Sequence, residues 1–146
     1  MPSEPVAVTD VLSELNTNWN ASNVVKPQLI EMTGATDSIR INLNRGDYLI
    51  ARPGSPTLEE IPVGNWKYVN RTYNIEVELQ TKLSRQRLYD LMREIRKICH
   101  VRRHLMTNFQ RIQFQNFSET VGEQVNVWIG TIQIQTINEN ILAETS

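Results

Sequence analysis

The sequence predicts an α+β domain: a mixed, mainly antiparallel β-sheet of about five strands packed against two helices. Three stretches lead to that class. Tyr73, Ile75, Val77 and Leu79 alternate with Asn74, Glu76, Glu78 and Gln80, the period of a half-buried strand. Leu88, Leu91, Met92, Ile95, Ile98 and Cys99 recur at helical spacing over 85–100 and form one apolar stripe. From Phe109 onward alternation returns and continues through Ile134.

The remaining elements follow in chain order. Residues 6–18 predict a first helix with Val8, Val11, Leu12 and Leu15 on one face, capped by Thr9 or Asp10 and followed by Trp19. Asn20 to Asp37 reads as a long polar connection with an apolar patch at Leu29-Ile30. Ile39, Ile41 and Leu43 alternate as a strand, Asn44-Arg45-Gly46-Asp47 turns, and Tyr48–Ala51 returns. Arg45-Gly46-Asp47 also spells an adhesion tripeptide, but its Gly and Asp are ordinary turn residues. Three prolines and two glycines within 53–64 predict a long loop, made acidic by Glu59 and Glu60. The central strand could start as early as Trp66, with a bulge near Asn70-Arg71 to reconcile the phases. Ser84 caps the second helix. A strand over 109–117, a turn over 119–123 and a last strand from Val125, bent at Gly130, complete the order. Residues 1–5 and 139–146 read as loose or extended ends of one domain spanning 1–146.

The length of 146 residues suits one domain. A net charge of −1, with 40% hydrophobic and 21% charged residues, excludes a strongly basic nucleic-acid binder, an acidic tail protein and a disordered chain. No apolar run is long enough to span a bilayer and no leader pattern opens the chain, so neither a secretory route nor a membrane partner is expected. One cysteine and two histidines do not make a zinc cage.

Two patterns point to interaction surfaces. Residues 82–111 hold nine basic side chains against Asp90 and Glu94, a local charge of +7; the rest of the chain sums to −8. Arg85, Arg87, Arg93, Arg96, Lys97, Arg102 and Arg103 are therefore candidates to meet an acidic partner or phosphate, with Glu59 and Glu60 as a complementary patch. The bland alternative is a solvated helix face balanced by acids on neighbouring elements. Residues 124–138 hold no charge, and their outward positions are Gln124, Asn126, Gln133 and Gln135. An exposed strand without charge invites pairing with another chain; a strand already covered within the monomer is the alternative.

Catalytic patterns are sparse. There is no Gly-rich phosphate loop and no Ser nucleophile elbow. His100 and His104 have metal-ligand spacing, but Arg102 and Arg103 between them repel a cation. Cys99 falls on the apolar stripe, as a core residue does. Glu76 and Glu78 share a strand face without a partner base. No catalytic residue, cofactor or metal is expected.

The order of helix, hairpin, long strand, basic amphipathic helix and two closing strands resembles the tail-terminator and tail-completion (neck) proteins of long-tailed viruses. Tyr73–Thr81 looks like the family's central strand. Ser84-Arg85-Gln86-Arg87-Leu88 with Glu94–Ile98 looks like its helix. Phe109–Phe114 and Val125–Ile134 look like its closing strands. The resemblance implies a non-enzymatic virion protein, assembled in the host cytoplasm, that forms a ring, usually a hexamer. That ring ends the tail tube and meets a head-side connector or adaptor protein. Genome DNA passes through its lumen without sequence-specific contact. A small nucleic-acid-binding module using the basic helix 85–103 is the other reading.

Overall fold

The computed structural model describes residues 4–32, 46–65, 67–120 and 126–143. Helix α1 (Ala7–Asn18) leads to strand β1 (Gln28–Glu31). Strands β2 (Tyr48–Val63) and β3 (Tyr68–Thr81) form a long hairpin. Helix α2 (Arg85–Val101) and strands β4 (Arg111–Thr120) and β5 (Trp128–Leu142) complete the chain. The five strands lie in the order β1-β2-β3-β5-β4; β1 pairs parallel with β2 and every other pair is antiparallel. The α+β class expected from the alternation and the stripe is the class observed.

Both helices cover one face of the sheet. Odd-numbered residues of β3 (Tyr73, Ile75, Val77, Leu79) meet Val11 and Leu15 of α1 and Leu88, Leu91, Ile95 and Ile98 of α2 in one buried cluster. Each such fully buried aliphatic side chain contributes roughly 1.5–3 kcal/mol. The Ser84 hydroxyl caps α2 by accepting from the Arg87 amide at 3.0 Å. The other sheet face is polar. Arg52 reaches Glu76 and Glu78; Gln133 donates to Glu76 at 3.1 Å, and Gln135 to Asn74 at 3.0 Å.

Several local expectations are corrected. Helix α1 begins at Ala7 with Val6 at the N-cap and no side-chain cap, so Thr9 and Asp10 lie inside its first turn. The apolar patch at Leu29-Ile30 is not loop but part of β1; four residues are too few for alternation to register. The Pro-rich stretch 53–64 is not a loop either: β2 continues through it to Val63. The prolines are tolerated at a strand edge: among the described residues β1 covers only Tyr48–Ala51 of β2. A register shift between Pro53 and Leu58 inserts extra β2 residues against β3. Gly130 is not a bend. It sits in continuous register opposite Leu79 and Glu119, and a Cβ there would collide with the Phe117 ring.

The bulge expected near Asn70-Arg71 exists in the β3–β5 pairing, but the extra residue belongs to β5, where Asn140 adopts φ 54°. The side-chain oxygen of Asn70 accepts from the Asn140 amide at 2.8 Å and holds the bulge. Strand β5 runs to Leu142, so residues 139–142 of the expected loose end are extended strand, and 144–146 lie outside the described residues. The predicted strand 39–43, Trp66 and the turn residues 121–123 lie outside the described residues, as do Gln124 and Val125.

Candidate interaction surface

The basic segment divides into two populations. Arg87 is structural: its side chain is only 14% exposed, and its Nε donates to Asp47 Oδ2 at 2.6 Å while Nη2 donates to the Val25 carbonyl at 2.6 Å. Asp47 also accepts from the Thr81 hydroxyl at 2.6 Å, so one buried carboxylate ties the start of α2 to the end of β3. The aspartate of the adhesion-like tripeptide is therefore not displayed. Arg102 pairs with Glu14 at 3.1 Å, and Arg111 with Glu139. Arg85 forks onto both oxygens of Glu119 at 2.7 Å. The hydrogen bond from Arg85 lowers the Glu119 pKa and the same contact raises that of Arg85. For Arg52, burial opposes the charged form, but the hydrogen bonds and charges of Glu76 and Glu78 outweigh it and raise its pKa.

Arg93, Arg96, Lys97 and Arg103 are different. All four are exposed, and none pairs with a carboxylate among the described residues. Arg93, Arg96 and Lys97 share one face of α2 with His100 over about 10 Å at the helical rise, and Arg103 follows in the turn past the helix end. Among the described residues the +7 segment therefore presents four cations without a carboxylate partner, while Arg85, Arg87, Arg102 and Arg111 are paired within the fold.

The acidic and amide candidates also separate. Glu59 and Glu60 lie on the far half of β2, where Glu60 binds Arg71 at 2.6 Å and Glu59 accepts from Asn74 at 2.9 Å. Gln133 and Gln135 donate to β3, and β5 is flanked by β3 and β4, so the part of the charge-free stretch within β5 has both edges paired within the monomer. Asn126 precedes β5 in an exposed turn at φ 65°. His104 lies beyond the end of α2, and no cluster of three potential ligands occurs among the described residues. Cys99 is 1% exposed, and burial pushes its thiol up to about 12, so it is a core side chain.

The residues that sequence reasoning missed lie on the far end of the β2–β3 hairpin, which with the end of β5 forms a three-stranded arm. From Ser55 to Asn65 every residue is exposed. Val63, Tyr68 and Leu142 face one another across the three strands, and Ile61 stands two residues from Val63 on the same side. Ile61 and Leu142 are 62% and 64% exposed, values that a core does not produce. At the arm's base, on the helix side, a cleft of about 450 Å³ is lined by Val6, Val8, Pro53, Leu58 and Tyr73, with Glu4 and Glu60 among its polar residues. The Tyr73 hydroxyl is buried without a hydrogen-bond partner among the described residues. The sequence signal for the arm residues is slight: Ile61 and Val63 are two residues apart, with Pro62 between them.

Compared with known proteins, no family model matches the chain, and no curated protein matches it significantly. No helix among the described residues is long and apolar enough to cross a membrane.

Proposed function

We propose that this chain is a structural virion protein of the neck, one copy of a ring that ends the tail tube and joins it to the head-side connector. Genome DNA would pass through the lumen without sequence-specific contact. The observation that carries the reading is the arm. Its three strand ends hold four apolar side chains in water, beyond a core that is complete without them. Exposed apolar surface grouped in this way marks a site of association. The cations without a carboxylate partner supply a second, chemically different surface. A closed ring of identical subunits needs two unlike complementary surfaces on each copy. The resemblance of residues 73–103 and 109–136 to neck proteins supplies the biological setting, and the α+β fold is compatible with it.

Mass photometry at rising concentration and electron microscopy of particles test the reading. Rings, and the chain at the head–tail junction, are expected; a chain that is monomeric everywhere and absent from particles refutes it.

One observation favours a second reading, a nucleic-acid-binding module. Arg93, Arg96 and Lys97 on one face of α2, and Arg103 just past its end, have no carboxylate partner among the described residues, as a phosphate-tracking surface requires. Filter binding separates the two readings. A dedicated binder holds duplex DNA with an affinity that falls steeply with salt, whereas the isolated ring subunit shows little affinity at any salt.

A further inference from the structure

We infer that the arm is a head-to-tail connector between copies of this chain: the apolar patch on one copy seats in the cleft at the arm's base on the next. The inference rests on the self-association proposed above and names the surfaces that perform it. Register places the patch (Ile61, Val63, Tyr68, Leu142) on the sheet face away from the helices. The cleft lies on the other face: Leu58 is opposite Tyr73, whose side chain points into the helix-covered core. A patch and a cleft on opposite faces of one arm cannot fill each other within a molecule. Each can be filled by the complementary surface of a neighbour, the defining property of a heterologous contact.

Charge selects the same arrangement. Lys67 stands beside the patch with its Nζ 5.8 Å from the Tyr68 ring centroid. Glu4, exposed and without a partner among the described residues, lines the cleft. Head-to-tail seating brings Lys67 of one copy toward Glu4 of the next. A two-fold contact of patch on patch would bring two Lys67 ammonium groups together instead, which like-charge repulsion disfavours. The cleft lining is mostly aliphatic and aromatic, matching an Ile, Val, Tyr and Leu knob. One such contact is small, so it is weak between two copies in dilute solution and strong when ring closure makes every contact intramolecular.

The test uses the full chain and two variants at exposed positions, Ile61→Asp on the patch and Val6→Asp at the cleft, where Val6 is 60% exposed. Each variant alone is expected to keep the native circular dichroism and melting temperature and to weaken self-association at least about tenfold in sedimentation velocity. Mixed together, they are expected to form a one-to-one dimer and nothing larger. The sound patch of the Val6 variant fits the sound cleft of the Ile61 variant, and both remaining ends are defective. In the unaltered chain, a carbodiimide cross-link is expected to join Lys67 to Glu4 of another copy. Three outcomes overturn the inference. If both variants assemble like the unaltered chain, the contact lies elsewhere, while the ring reading stands. If Ile61→Asp is blocked while Val6→Asp still associates and the cross-link is missing, the contact is patch on patch and two-fold. If the unaltered chain never associates, this inference and the ring reading fall together.

Discussion

Replacing Asp47 by Ala should be among the most damaging single changes in the chain, although it removes only one small polar side chain. Asp47 is 6% exposed and accepts from both the Thr81 hydroxyl and the Arg87 Nε at 2.6 Å. The substitution deletes a short hydrogen bond from the Thr81 hydroxyl to a carboxylate, a class worth about 1.5–3 kcal/mol. It also leaves the Arg87 guanidinium without a counter-charge. Breaking a buried pair by removing one partner costs about 3–5 kcal/mol. The lower end applies here, because Arg87 retains its bond to the Val25 carbonyl and 14% of its side-chain surface remains in solvent. The expected total is about 3 kcal/mol, the hydrogen-bond loss lying within it. Equilibrium urea unfolding followed by circular dichroism measures it: with a slope near 2 kcal/mol/M, the midpoint falls by about 1.5 M at unchanged slope. The double variant Asp47→Ala/Arg87→Met leaves no orphaned charge, so it should be more stable than the sum of the single losses by at least about 1.5 kcal/mol. A single-variant loss below about 1 kcal/mol, or additivity within about 0.5 kcal/mol, would refute the claim that this pair clamps α2 to the sheet.

Three further outcomes are expected. Gly130→Ala places a Cβ against the Phe117 ring and should lower stability by about 1–3 kcal/mol, visible as a lower melting temperature; an unchanged melt would mean that Phe117 moves aside freely. Cys99 should react with a thiol reagent only as fast as the protein unfolds; burial pushes its pKa up to about 12, so the native state holds its proton when the unfolded chain releases it. Its contribution to stability is then full below the ordinary value of 9.0 and declines as pH rises above that value, a decline that Cys99→Val should abolish. Reversing Arg93, Arg96 and Lys97 to Glu should leave the circular dichroism spectrum native, since none of the three serves the fold, while blocking assembly; normal assembly by the reversed protein would dismiss the stripe as solvated surface.

The parts of the fold that were legible in the sequence are those where one face is buried over many residues. Strand β3 and helix α2 declare themselves because a period of two or of 3.6 persists long enough to be read, and Ser84 marks where the helix starts. Four-residue β1 has too little length for any period. The far half of β2 has too little burial: exposed on both faces, it lacks the alternation that identifies a strand, and its prolines are permitted only by its place at an edge. Gly130 marks a close ring contact from a distant strand, which no local pattern encodes.

The charge segregation was visible, but its use was not. Arg87 and Asp47 are forty positions apart, and only the fold shows that they neutralise each other while Arg93, Arg96, Lys97 and Arg103 have no carboxylate partner among the described residues. In the uncharged stretch of β5, Gln133 and Gln135 find their partners on the adjacent strand, which the sequence does not display.

The central claim is that copies of this chain assemble into a closed ring, and the most direct measurement is the mass of the full chain at high concentration by native mass spectrometry. A discrete closed species is expected, with six copies of the 16.9 kDa subunit. A single 16.9 kDa species at every concentration, together with its absence from purified particles, would contradict the account.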